Sequence, residues 1–321
     1  MFLFSPIRLR PFLFRGKLFL WFLLLMVGLV SGSCQPRPES PLPVFGSPDS
    51  LRLRQVVASL RTGLAPRQLE VVTVPEFGAA GDEALNRIRA QKPPLLLVLG
   101  SPALLRVAPV EKRLPVVFAM VADPYVTGAA DDPHHPELHQ KNLTGIASPP
   151  PVQPALEQGA RLLGEETWGL LYDPREGQAV EVARLFTKTA PEYGLTLLTE
   201  TSSDAATDLP ALQKLISRGA RVLYLPPTAT ASRYAPLILS WGRDRRVKVV
   251  SSHPEVEHQG AILWVALDYR TLGKEAASLA QRVLAGESPE NIPLQEKMPL
   301  QIEADESLLR HWSGYPGIPG N

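Results

Sequence analysis

Repeatedly in this chain an apolar run stops at a hydroxyl or carboxylate set beside a proline: Gly100-Ser101-Pro102, Asp123-Pro124, Asp173-Pro174 and Pro226-Pro227-Thr228, with Ser251-Ser252-His253-Pro254 a looser version. Such groups hydrogen-bond ammonium, amide and hydroxyl partners. They stand where a buried strand gives way to its loop, which in an open parallel sheet is the edge that binds ligands. Each also has a local reading: Asp123 can close an Asx turn, and Ser101 can cap a helix that carries proline at its first position.

A second cluster gathers His134, His135 and His139 with Asp131, Asp132 and Glu137. Imidazole and carboxylate are ligands for zinc or nickel. The spacing fits no established ligand motif, so the segment reads first as a solvated loop, with metal capture a weaker candidate.

Catalytic signatures are missing from the sequence. It contains no Gly-Xaa-Ser-Xaa-Gly elbow, phosphate loop, Gly-Xaa-Gly-Xaa-Xaa-Gly or His-Glu-Xaa-Xaa-His. Its one cysteine lies in the leader described below. The chain therefore reads as a non-enzyme without a cofactor; a hydrolase would need a nucleophile and a base brought within hydrogen-bond reach.

The elements that would position these residues alternate. Strands are expected at Pro43–Gly46, Leu69–Val74, Leu95–Leu99 and Val116–Val121. Helices are expected at Leu51–Gly63, Gly81–Gln91 and Ala103–Val107 between them. The unbroken Leu95-Leu-Leu-Val-Leu99 is typical of a strand covered by helices on both faces. After Asn142-Leu-Thr-Gly145 the pattern restarts, with strands at Trp168–Tyr172, Leu195–Glu200, Arg221–Leu225, Val247–Val250 and Gly260–Leu267. Helices are expected at Gln153–Leu163, Ala179–Tyr193, Asp208–Arg218, Thr230–Gly242 and Thr271–Ala285. Ile292–Ile302 reads as one edge strand and Asp305–Trp312 as a terminal helix. With 321 residues, this is an α/β chain of two Rossmann-like lobes with parallel sheets.

The first residues differ in kind. Arg8, Arg10, Arg15 and Lys17 precede a 13-residue apolar run, Leu18–Val30, then Ser31-Gly32-Ser33 and Cys34. That order is a secretory signal, too short in its apolar part for a permanent span. Cys34 after small residues resembles the lipobox of bacterial lipoproteins, which implies cleavage after residue 33 and a diacylglycerol on the thiol. Residues 34–41 then form a tether, and by the same resemblance Gln35 favours the outer membrane. Without residues 1–33 the formal charge falls from +1 to −3, which gives no pull towards nucleic acid. No cysteine remains for a disulfide, so the fold rests on its cores.

Pro115–Pro124 and Asn142–Gly145, followed in order by Trp168–Pro174, Tyr224–Thr228 and Gly260–Gly273, resemble the tryptophan/tyrosine-type substrate-binding proteins of ABC transporters. Those are periplasmic binding proteins of the type I fold. The resemblance implies a monomeric receptor whose lobes close on a small ligand and present it to a membrane permease. It also implies three crossings between lobes, placed near Gly145, Trp264–Tyr269 and Pro289–Leu294. Lobe I would be 42–145 and 268–288, lobe II 146–267 and 289–312, and 313–321 a tail. Carried onto this chain, the ligand contacts are Ser101, Asp123, Asp173, Thr228 and Asp268, with Tyr172, Tyr224 and Tyr125 available to stack on a ring. Asp268 equally suits the N-cap of the helix that follows it. The chain departs from the family at Thr228-Ala229-Thr230, where members usually carry an Asp-Asn-Thr type triplet.

Overall fold

A computed structural model describes residues 40–313 except 47–49, 76, 245, 255, 257 and 258. The expected signal sequence, Cys34 and nearly all of the expected tail, 314–321, lie outside the described residues. None of the described helices is long and apolar enough to cross a membrane.

Two six-stranded sheets organise the chain. The first contains β1 (Leu42–Gly46), β2 (Leu69–Thr73), β3 (Leu96–Leu99), β4 (Val116–Val121), β5 (Leu143–Ala147) and β11 (Gln295–Glu296), in the order β11-β5-β4-β3-β1-β2 and all parallel. The second contains β6 (Thr167–Tyr172), β7 (Thr196–Thr201), β8 (Val222–Leu225), β9 (Lys248–Ser251), β10 (Leu263–Leu267) and β12 (Leu300–Ala304), in the order β12-β10-β9-β8-β6-β7. Only β12 runs antiparallel.

Helices cover both faces of each sheet, which is why the strands are apolar on both sides. In the first lobe α1 (Leu51–Gly63) and α8 (Tyr269–Leu284) share one face, where Leu53, Val56 and Leu60 meet Leu272, Ala276 and Ala280 over Leu97 and Leu99. On the other face α2 (Ala79–Ala90) and α3 (Ser101–Val107) cover Leu96 and Val98. Successive residues of β3 thus feed opposite cores, the period of two expected of a strand. The second lobe repeats the plan. There α4 (Val152–Leu163), α5 (Gly177–Thr189) and α9 (Glu306–Ser313) lie over one face, and α6 (Ala205–Ser217) and α7 (Ala229–Arg243) over the other.

The chain passes from sheet to sheet three times: after Ala147, between Leu267 and Tyr269, and between Glu296 and Leu300. The first passage lies beyond Gly145, which sits inside β5. Phe118 of β4 explains that glycine, since a Cβ there would lie 2.4 Å from its ring. The third lies later than Pro289–Leu294. The stretch read as one edge strand, Ile292–Ile302, is two strands in two different sheets, interrupted by Lys297–Pro299.

Candidate functional site

The strand-end residues are held in place by short local bonds. Gly100, at φ +100°, turns β3 directly into α3. Ser101 Oγ then accepts the Ala122 N–H at 3.0 Å and ties the exits of β3 and β4 together. Just before that exit Met120 adopts φ +60°, and the register between β4 and β5 shifts between Phe118 and Val121. Asp123, exposed, accepts the amides of Tyr125 (2.8 Å) and Val126 (3.3 Å), the Asx turn its position suggested. Tyr125 packs against the α2/α3 core. Its phenol is pushed up, first by burial and then by Glu296, Asp123 and Asp132. Asp268 caps α8, accepting from Arg270 and Thr271 amides and from the Thr271 hydroxyl at 2.6 Å. Burial works against its ionisation, but these bonds and Lys274 outweigh it and the pKa is lowered.

In the second lobe a denser cluster stands at the exits of β6 and β8. Asp173 receives the Arg175 amide (2.9 Å) and its guanidinium through Nε (3.0 Å) and Nη2 (2.8 Å). This bidentate hydrogen bonding holds its pKa down to about 2. Arg233 grips Asp208 in the same way, at 2.7 and 2.8 Å. The first amides of α7 are divided between two caps. Thr228 Oγ1 accepts from Ala231 at 3.2 Å, while the Glu176 carboxylate accepts from Ala229 and Thr230 amides at 2.8 Å each and from the Thr230 hydroxyl at 2.5 Å. An open cavity of about 530 Å³ is lined by Asp173, Arg175, Glu176, Ala229, Thr230 and Arg233. It combines charges of both signs with a helix N-terminus already holding a carboxylate.

Of the expected contacts, only Asp173 lines this cavity. Thr228 is buried behind it, and Ser101, Asp123 and Asp268 belong to the first lobe's elements. Tyr172 borders a separate hollow of about 440 Å³ beside α5 with Arg184 and Thr199. Tyr224 is a correction: it is 1 % exposed and packed against Trp168 and Phe186, with centroids 6.5 and 5.0 Å away. No face of its ring is open to a ligand, because β8 is covered by helices on both sides. Arg175, Glu176 and Arg233 were not anticipated. Their only sequence signal is charge just after β6 and in the first turns of α7, and Glu176 meets Ala229 across 53 positions.

The histidines do not converge. His135 Nδ1 pairs with Glu137 Oε1 at 3.0 Å, His139 Nδ1 with the Gln140 carbonyl at 3.0 Å, and His134 uses its backbone amide on Asp132. Among the described residues no group of three metal-ligating side chains is assembled. One hydroxyl and imidazole do meet, Ser232 Oγ and His253 Nε2 at 2.7 Å. Ser232 also reaches the Thr228 carbonyl of the preceding turn, so this contact ties α7 to the loop after β9.

Two lobes of parallel sheet, polar strand exits and a threefold passage of the chain define the type I periplasmic-binding-protein fold. The chain belongs to the ABC transporter substrate binding protein family, whose sequence profile matches residues 80–304; the family is one of binding proteins rather than catalysts. A tyrosine-binding protein of Clostridioides difficile is 21% identical over 227 residues, 70% of this chain and 64% of that protein, so the match spans less than two thirds of the relative's length. A ligand-free, open substrate binding protein with adhesive properties from Clostridium difficile superposes with a TM-score of 0.72 at 16% identity, over 87% of this chain and 96% of its own. An ABC domain in complex with L-Trp from Streptococcus pneumoniae gives 0.67 at 20% identity, over 84% and 94%. At these identities the likeness is one of fold.

Proposed function

We propose that the protein is the solute-binding receptor of an ABC importer, closing two lobes on a small organic zwitterion, an aromatic amino acid or a relative of one, and delivering it to a membrane permease. The observation that carries this reading is the cavity at the exits of β6 and β8. Asp173 stays ionised there at neutral pH and can meet an ammonium, while Arg175 and Arg233 can meet a carboxylate. Tyr172 and Tyr125 are the strand-exit rings available to flank an aromatic group. The family supports the binding role, and the names of the tyrosine-binding and L-Trp-bound relatives support the ligand class. Binding would favour the closed form because contacts from both lobes are complete only there.

Mass spectrometry of small molecules released from natively purified protein, with calorimetric titration of L-tyrosine and L-tryptophan, tests the reading. The expected result is binding that Asp173→Asn weakens. No released molecule, and no heat with either amino acid or a panel of related zwitterions, would refute it. Lipid attachment at Cys34 is part of the same proposal, with the outer membrane favoured; incorporation of a palmitate probe, lost in Cys34→Ser, checks it.

One observation favours a second reading, an envelope lipoprotein with a repurposed cleft that works through protein contacts. Ser101, Asp123, Asp173, Thr228, Glu176 and Asp268 all already have partners inside the chain. Solute binding in the same titrations decides between the two.

A further inference from the structure

On the first lobe, α1 and α8 approach so closely at Gly63 and Gly273 that a side chain at either position would collide with the facing helix. A Cβ on Gly63 would lie 2.5 Å from Ala277 Cβ, and one on Gly273 would lie 2.7 Å from Ser59 Cβ and from the Val56 carbonyl oxygen. The side chains flanking this contact therefore border a trench of about 610 Å³. Its charged lining is Arg54, Arg270 and Lys274, with no carboxylate among the lining residues. Arg270 and Lys274 form no ion pair with the described residues. This contrasts with much of the surface, where Arg89–Glu111, Arg184–Glu181, Arg282–Glu287 and Lys297–Glu275 are matched pairs. Asp268, whose ionised form Lys274 favours, is taken up by capping α8.

The cations occupy one end of the trench. They sit in the first two turns of α8, which begins directly after the second passage between sheets, and in the first turn of α1. At the other end Gln281 donates to the Gly63 carbonyl. Gln55, Ser59 and Ser278 offer amide and hydroxyl groups along it, with buried Ala277 beneath.

We propose that this trench is the docking site for an acidic segment of a partner protein. A narrow furrow with cations at one end and neutral hydrogen-bonding groups along its length fits carboxylates presented on a single peptide segment. A bilayer surface is flat and cannot enter it. If the receptor reading holds, the partner is the permease, and a grip on the first turns of α8 places it next to a passage that moves when the lobes close.

The test uses full-length protein in detergent and, as probe, a fluorescent synthetic peptide of alternating glutamate and alanine, followed by anisotropy at low salt. Arg270→Gln/Lys274→Gln should weaken binding about tenfold, two partly exposed charge contacts at the upper end of their usual strength. Ser278→Trp, which fills the trench without changing charge, should weaken it as well. A control, Arg87→Gln/Lys188→Gln, should leave it unchanged, and all variants should keep the parent circular dichroism and melting temperature.

Equal loss in the control overturns the proposal in favour of diffuse attraction. It is also overturned if trench-dependent binding is seen only to vesicles of anionic lipid, only to inorganic phosphate, or only as self-association in sedimentation. Calorimetry with amino acids on the parent protein separates the two proposals: solute binding without peptide binding sinks only this one, and the reverse sinks only the receptor reading.

Discussion

Glu176→Ala probes the point where the second lobe's cleft edge and its stability meet. The carboxylate is half-buried and accepts from two amides and one hydroxyl at the start of α7. Losing a capping acceptor costs about 1 kcal/mol, and loss of a negative charge at a helix N-terminus adds about 0.5 kcal/mol where water reaches it. Thr228 still covers the Ala231 amide, so the helix does not lose its whole cap. The expected destabilisation is about 1.5 kcal/mol, or a fall in melting temperature of about 4 °C for a domain of this size. Glu176→Gln, which keeps an acceptor oxygen, should recover about half of that. Differential scanning calorimetry at neutral pH measures all three proteins. The vacated amides form an anion site, so acetate should raise the melting temperature of Glu176→Ala more than that of the parent. An unchanged melting temperature, or an identical acetate response in parent and variant, would refute the assignment of Glu176 as the cap of α7.

Acid should act through Asp173. Its pKa is depressed from 3.8 to about 2 in the folded protein, so the stabilisation is complete above about pH 4 and is lost as pH falls through 2. Urea midpoints between pH 5 and pH 2 should therefore decline more steeply in the parent than in Asp173→Asn, and parallel curves would contradict this. Gly159→Ala should destabilise although alanine favours helix, because its Cβ would lie 2.4 Å from Cη2 of Trp168, which is wholly buried. Overpacking of that kind costs about 1–3 kcal/mol against a helical gain of about 1 kcal/mol, and a higher urea midpoint for the variant would count against it.

Most of the strands were legible because they are short apolar runs closed by glycine, proline or a small polar residue; Leu95–Leu99 and Trp168–Tyr172 needed nothing further. The end of the chain was not. Ile292–Ile302 alternates like one strand, and nothing local says that Gln295–Glu296 pairs with β5 while Leu300–Ala304 pairs with β10. Sheet membership is decided by which core is within reach. Asp123 and Asp268 were readable as turn and cap because those bonds span two or three residues. Glu176 was not, because it caps a helix 53 residues away. Tyr224 misled because its residue type suits stacking, whereas its burial depends on helices elsewhere in the sequence.

The pairing of α1 with α8 also bears on how the protein is made. Leu53, Val56 and Leu60 lie near the start of the chain, yet the residues that complete their core, Leu272 to Val283, come close to its end. A ribosome must finish almost the whole polypeptide before the first lobe can close, so the growing chain spends its synthesis without a finished core in that lobe. Contacts so distant in sequence also slow folding. That delay leaves the chain loosely folded while it is being made, the state in which a polypeptide can be threaded across a membrane.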